Sequence, residues 1–216
     1  MTTQLPGVAG DTSIVIGSNN WTPTVMGGAS HNSLPRPGEV FTLADSSNSN
    51  HKKVLQKHIS ELKIIVMDRD RHVSLINKMK ELNVDPILIG DGDVSGGLKA
   101  AEGAVDLLYG IGAAPEGVIT ATAVKAMGGF FEGKLHFMDK TFKTRAVEML
   151  GEKIDNVWSS EDLCQSNDSF FIASGVCSGW IPGVKFDGNK AIVTSKIIFG
   201  DSKESEIVTN EYSIGD

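Results

Sequence analysis

An α/β fold built on a parallel sheet is the architecture this sequence predicts, and three successive units carry that reading. Residues 62–82, 86–101 and 106–127 each offer a short apolar run, then a turn rich in Gly, Asp or Arg, then apolar residues at helical spacing. Strands that alternate with helices pair in parallel, because each helix returns the chain across the sheet before the next strand begins.

Taking the elements in order, residues 1 to about 50 are rich in Gly, Ser, Thr, Asn and Pro, with one apolar run at Ser13–Gly17. This segment reads as one strand among loops, with a turn at 45–50, and packs on something else. The first unit opens with the run Leu62–Met67, turns at Asp68–Arg69–Asp70–Arg71–His72, and continues into a helix through Leu75, Ile76, Met79 and Leu82. His72 reads as a helix-start residue. The second unit has Pro86–Ile89 as strand, Gly90–Asp93 as turn, and a short helix from Val94 to Ala101. The third has Asp106–Tyr109 as strand, a Gly-rich turn over 110–117, and a helix to about Met127; Pro115 suits a first helical turn, where no amide donor is needed. Beyond Gly128–Gly129, a charged helix over 140–150, a strand at Ser169–Ala173, and runs at 180–184 and 191–199 between Gly-containing turns predict a terminal antiparallel section.

At 216 residues the chain can bury a substantial core. Its 20 Lys and Arg against 27 Asp and Glu, a net charge of -7, point away from nucleic acid and from an anionic membrane surface. Cys164 and Cys177 lack the paired spacing of a zinc site and read as buried free thiols in a reducing compartment. Residues 1–7 carry no basic stretch leading into an apolar run, and no run approaches membrane-spanning length, so a cytoplasmic protein is expected.

In open parallel sheets, ligands bind beyond the carboxyl ends of the strands, and all three units place their unusual residues there. The first offers Asp68, Arg69 and Arg71, the second Asp91, Gly92 and Asp93, the third a Gly-rich turn with Glu116 at a helix start. Guanidinium forks suit phosphate oxygens, and ionised carboxylates accept from sugar hydroxyls or bind a cation. Helix N-terminal amides favour an anion. Together these describe a polar pocket for an anionic, hydroxylated ligand near a cation. Each also has a plainer reading: Arg69 and Arg71 as a solvated turn, Asp91–Gly92–Asp93 as turn chemistry, Glu116 as a dipole-stabilised helix residue. Gly110–Ile111–Gly112 lacks the third glycine of a dinucleotide fingerprint, and Glu116 would oppose a pyrophosphate, which disfavours nucleotide binding.

The strings at 66–72, 90–94 and 110–118, in that order and spacing, resemble three consecutive signatures of the class II fructose-1,6-bisphosphatases, most nearly the cyanobacterial form that also accepts sedoheptulose-1,7-bisphosphate. Residues 170–176 and Gly183–Val184 resemble that family's C-terminal strand region, so the likeness spans roughly 38–210. It implies a layered sugar-phosphatase fold and hydrolysis of the 1-phosphate of fructose-1,6-bisphosphate, dependent on Mn2+ or Mg2+. By position, Arg69, Asp70 and Arg71 match a substrate-phosphate segment, and Asp91, Gly92 and Asp93 a substrate-binding segment. Ala113 matches a substrate contact, and Glu116 a metal ligand. Asp70 stands where the family usually has proline and adds a negative charge beside the phosphate segment. Ala113 is glycine in many members and alanine in the cyanobacterial form.

The family's N-terminal portion supplies further acidic ligands and a signature Asp-Pro-x-Glu-Gly-Thr. Thr3 matches its threonine and takes the implied catalytic position, beside the attacking water. The other acids have no counterpart in this sequence. The resemblance therefore implies an N-terminally truncated enzyme: 1–50 as a residual part of a metal-binding domain, and 51–216 as a sugar-phosphate-binding α/β domain. Activity would be impaired without the missing ligands, since one glutamate cannot hold a catalytic metal cluster. The expected partners are a sugar bisphosphate and either further copies of the chain or a complementing N-terminal half. A non-catalytic sugar-phosphate-binding or partner-binding remnant is the competing expectation.

Overall fold

The computed structural model describes residues 61–137 and 140–214, together with the backbone of strands at 11–17, 21–25, 41–45 and 54–57. In chain order these four strands are β1 (Asp11–Gly17), β2 (Trp21–Val25), β3 (Phe41–Asp45) and β4 (Val54–Lys57). They are followed by β5 (Ile64–Met67), α1 (Val73–Glu81), β6 (Ile87–Ile89), α2 (Asp93–Ala101), β7 (Leu107–Ala113), α3 (Ala114–Ala126) and β8 (Phe130–His136). The remainder comprises α4 (Lys140–Leu150), β9 (Val157–Ser159), α5 (Ser160–Leu163), β10 (Phe170–Ser174), β11 (Lys185–Asp187), β12 (Lys190–Phe199) and β13 (Ser205–Ser213).

The main sheet has the order β6-β5-β7-β1-β8-β9. The three strands of the three repeated units pair in parallel, as their alternation with helices predicts. The other half is antiparallel: β1 lies between β7 and β8 and runs against both, and β9 pairs antiparallel with β8. The sheet is therefore mixed, and the strand expected at 13–17 occupies its middle.

Helices cover both faces where the sheet is parallel. On one face Ile64, Val66 and Leu107 pack with Ile76 and Met79 of α1, beside Leu62 and Val84. On the other, Ile65, Leu108 and Phe131 meet Ala100 and Ala101 of α2, Ala121 and Val124 of α3, and Leu163 of α5. All four residues of β5 are buried, as a central strand covered on both faces requires, and this explains its unbroken apolar run. A Cβ on Gly96 of α2 would lie 2.8 Å from Leu108 Cδ1 and 3.3 Å from Ile89 Cδ1, so glycine sets how closely that helix approaches the sheet.

The three helices end alike. Asn83, Gly103 and Gly128 adopt positive φ just beyond α1, α2 and α3. In each case the next amide reaches back to the helix: Val84 to the Met79 carbonyl, Ala104 to Lys99, and Gly129 to Val124. These paired bonds satisfy carbonyls that the helix leaves open and stop it sharply. At the opposite end of the sheet, the buried Asp106 carboxylate accepts the Lys63 amide at 2.8 Å and ties the starts of β5 and β7 together.

The antiparallel section forms a separate sheet in which β12 pairs with β10, β11 and β13. Strands were expected over 180–184 and 191–199. The second lies within β12, whereas 180–184 is a bend followed by irregular chain and the neighbouring strand begins at Lys185. The cause is local crowding: a Cβ on Gly183 would fall 2.6 Å from the Ser178 amide nitrogen, so that chain folds on itself too tightly to pair. β2, β3 and β4 form a third, antiparallel sheet. Cys164 is buried, as expected of a free thiol, while Cys177 is exposed, contrary to expectation. No helix of the described residues is long and apolar enough to cross a membrane.

Candidate functional site

The topology brings the three unusual loops to one end of the sheet. Because β6, β5 and β7 are adjacent and parallel, Asp68–His72, Gly90–Asp93 and Ala113–Glu116 all leave the sheet at its carboxyl edge. The register of β1 adds to that edge, since Asp11 stands opposite both Ala113 and His136. Residues 1–10, and with them Thr3, lie outside the described residues.

The first loop leaves β5 as an extended Arg69 and then a short 3-10 turn over Asp70–His72 that runs into α1. The Asp68 amide still bonds to the Ile89 carbonyl at 2.8 Å, which extends the pairing with β6 one step beyond the strand. Asp68, Arg69, Asp70 and Arg71 are exposed, and no ion pair joins either arginine to a carboxylate among the described residues. Arg71 donates from Nε to the Ile111 carbonyl at 2.9 Å, and Arg69 reaches the Asp68 carbonyl from Nη1 at 3.3 Å. The positive charge of the loop is therefore available to an anion. Asp70, the position that the resemblance flagged, is exposed and begins the 3-10 turn.

His72, expected as no more than a helix-start residue, caps α1 but is fully buried and holds the site together. Its Nδ1 lies 2.7 Å from the Met67 carbonyl, and its Nε2 accepts the Ile111 amide at 2.8 Å. The ring spans the gap where β5 and β7 have ceased to pair, since their ladder ends at Ile65 and Leu108. The segment 110–113, expected as a turn, is the last part of β7. It stays in the sheet because β1 pairs with it through Asp11–Ile14 on one edge, while His72 and Arg71 satisfy Ile111 on the other. Gly110 permits this, because a Cβ there would stand 3.1 Å from His72 Nε2.

The second loop centres on Gly92, whose φ of 87° and ψ of 47° place it in the left-handed region that glycine adopts without strain. Asp91 Oδ1 accepts the Gly92 amide, and Asp93 Oδ1 accepts the Val94 amide, each at 2.9 Å. Each aspartate thus spends one oxygen on shaping the turn and keeps the other. Asp93 also lines a shallow cleft with Met67, Tyr109, Gly110, Ile111 and Gly112, which joins the second loop to the end of β7. Burial raises the Tyr109 phenol above its ordinary value and keeps it neutral there.

In the third loop Ala113 is exposed and extended, and α3 starts behind it with Pro115 in its first turn. Glu116 lies in the same turn, where the helix dipole favours a carboxylate. Its Oε2 is buried and has no hydrogen-bond partner among the described residues, an arrangement that costs free energy unless a cation or donor meets it. That orphaned anionic oxygen fits a divalent cation, which takes hard oxygen ligands. It cannot suffice alone, and among the described residues no group of three or more His, Cys, Asp or Glu could hold a metal ion. α2 and α3 pack on the same face, so Asp93 and Glu116 both stand in first helical turns at this edge.

The structure thus gathers Arg69, Asp70, Arg71, Asp91, Gly92, Asp93, Ala113 and Glu116 at one sheet edge, as the order of the units predicts. His72 and Gly110 escaped sequence reasoning. Their only sequence signal was a histidine ahead of an amphipathic stretch, and a glycine in an already Gly-rich string.

Comparison with known proteins agrees with this geometry. Residues 39–212 match the family described as bacterial fructose-1,6-bisphosphatase, glpX-encoded. The chain is 37% identical over 169 residues to a D-fructose 1,6-bisphosphatase class 2/sedoheptulose 1,7-bisphosphatase of Acaryochloris marina, covering 71% of this chain and 49% of the relative. Similar proteins of Trichodesmium erythraeum and Thermosynechococcus vestitus are 34% and 35% identical, covering 75% and 77% of this chain and 51% and 53% of theirs. The chain spans about half the length of the curated relatives it matches. With the match over 39–212, the chain belongs to the bacterial, glpX-encoded fructose-1,6-bisphosphatase family.

Proposed function

We propose that this chain carries the sugar-phosphate-binding half of a metal-dependent fructose-1,6-bisphosphate 1-phosphatase, a site that also fits sedoheptulose-1,7-bisphosphate. The observation that carries the reading is the shared carboxyl edge of β5, β6 and β7, whose loops carry two exposed arginines, two aspartates and a buried glutamate oxygen without a partner among the described residues. The names of the relatives support the substrate class.

In this reading Arg69 and Arg71 hold the phosphate that does not react, and Asp91 and Asp93 accept hydrogen bonds from sugar hydroxyls with the oxygens their turns leave open. Gly92 and Ala113 let the ligand approach the backbone. Glu116 holds a divalent cation, Mn2+ or Mg2+, which when bound polarises the phosphoryl oxygens and lowers the pKa of water. Thr3 positions the attacking water. Asp70 lowers the positive potential around the phosphate and weakens its grip relative to a proline there. Residues 1–50 serve as the residual part of the metal-binding domain, and the remaining acidic ligands come from further copies of the chain or from a complementing N-terminal half. The protein works in the cytoplasm.

A non-catalytic sugar-phosphate-binding protein is the second reading, since among the described residues no group of three or more His, Cys, Asp or Glu could hold a metal ion. Manganese-dependent phosphate release from fructose-1,6-bisphosphate separates the two, measured with and without the N-terminal half of a relative. Release that appears on complementation and disappears in Glu116→Ala supports the phosphatase. Tight sugar-bisphosphate binding with no release under either condition supports the binding protein, and release that survives Glu116→Ala removes the role given to Glu116.

A further inference from the structure

We propose that His72 is the positioning residue of the phosphate-binding loop: as a neutral ring protonated on Nδ1, it fixes the Ile111 peptide on which Arg71 is anchored. The inference rests on the reading of Arg71 as a phosphate ligand, but its structural core can be tested without any ligand.

The tautomer follows from the partners. The Ile111 amide can only donate, so the Nε2 that it meets at 2.8 Å must carry a lone pair. The proton then resides on Nδ1 and is donated to the Met67 carbonyl at 2.7 Å. An imidazolium would turn a second N–H against the Ile111 amide in a site with no solvent access, so the bridge exists only in the neutral ring.

The same peptide serves both side chains. Ile111 gives its N–H to His72 and its carbonyl to Arg71 Nε, so the ring and the guanidinium are coupled through one rigid amide plane. On its β5 edge β7 has no paired strand at this point, and among the described residues His72 and Arg71 are the partners that hold Ile111 there. The geometry also specifies how Arg71 meets a phosphate. Its Nε–H is committed to Ile111, so only the Nη edge of the fork faces outward, and the grip is end-on rather than through Nε.

The test uses the full chain and two variants. His72→Phe fills the ring's volume without polar atoms, and His72→Gln restores an acceptor near Nε2. Long-range 1H–15N NMR of the labelled wild type should show the Nδ1-protonated tautomer; the Nε2-protonated tautomer would overturn the proposal whether or not either variant folds. The Arg71 Nε–H should exchange at least about tenfold more slowly than that of Arg69, and His72→Phe should erase the difference while the β5 amides keep their protection. Titration with fructose-1,6-bisphosphate should weaken about tenfold in His72→Phe and recover to within about threefold of wild type in His72→Gln. Wild type that shows the tautomer and the slow Arg71 proton but binds no sugar bisphosphate sinks the phosphate-ligand reading and leaves the positioning intact. Variants that bind as wild type does, with Arg71 exchange unchanged, overturn the positioning itself.

Discussion

Replacing Gly110, inside β7, and Gly90, just beyond β6, by alanine makes the same chemical change at two places, and the structure predicts opposite outcomes. A Cβ at Gly110 meets His72 Nε2 at 3.1 Å and Cε1 at 3.3 Å, while one at Gly90 meets nothing within 4 Å. The ring cannot swing away, because it is fully buried and bonded at both nitrogens. It must give by a few tenths of an ångström, which strains the Ile111 bond. Losing that bond costs about 0.5–1.5 kcal/mol and crowding about 1–3 kcal/mol. The reduced freedom of the unfolded chain returns about 0.4–1 kcal/mol. Gly110→Ala should therefore destabilise by about 0.5–4 kcal/mol, whereas Gly90→Ala, which keeps only the chain-freedom term, should stabilise by about 0.4–1 kcal/mol. Urea unfolding followed by fluorescence reads both. Equal stability of the two variants would refute the packing of His72 on Gly110.

Other expectations follow from single groups. Glu116→Gln removes charge from a buried, unpartnered oxygen but forfeits a favourable helix-dipole term of about 0.3–1 kcal/mol, so metal-free stability should hold or rise by about 1 kcal/mol in thermal melts. A fall beyond about 1 kcal/mol would show that Glu116 serves the fold instead. Asp106→Ala strips the Lys63 amide of its buried acceptor and should cost about 1–3 kcal/mol by urea unfolding, with Asp106→Asn recovering most of it. The raised Tyr109 phenol means that the folded state keeps its proton longer than the unfolded state does. Stability from this group is complete below the unfolded value of about 10 and is lost as pH rises through the folded one, and Tyr109→Phe should remove that alkaline loss.

How far the sequence exposes this protein can be judged element by element. β5, β6 and β7 were legible because each is a short apolar run followed by turn residues and then apolar residues at helical spacing, and β5, covered on both faces, is apolar throughout. β8, β9 and β13 were not identified: β8 alternates Phe131, Gly133 and Leu135 with half-buried Glu132 and Lys134 behind a glycine pair, and β13 is almost wholly exposed. The insertion of β1 between β7 and β8 is a long-range choice that no local pattern encodes. It also explains the strand character of 110–113, since the pairing partner that overrides the glycines lies about a hundred residues away. At the site, residue types and order placed the charged groups at the correct edge. What they could not show was burial: only the folded chain makes His72 a bridge and leaves a Glu116 oxygen without a partner.

The central claim, that Glu116 and the flanking strand-end loops form a cation and sugar-phosphate site, is tested most directly by paramagnetic broadening with Mn2+ on the labelled chain. The prediction is that substoichiometric Mn2+ broadens amides of Ala113–Gly117 first and those of Asp68–His72 and Asp91–Asp93 next, with the effect abolished in Glu116→Gln. Broadening centred elsewhere on the chain, or unchanged in that variant, would contradict the account.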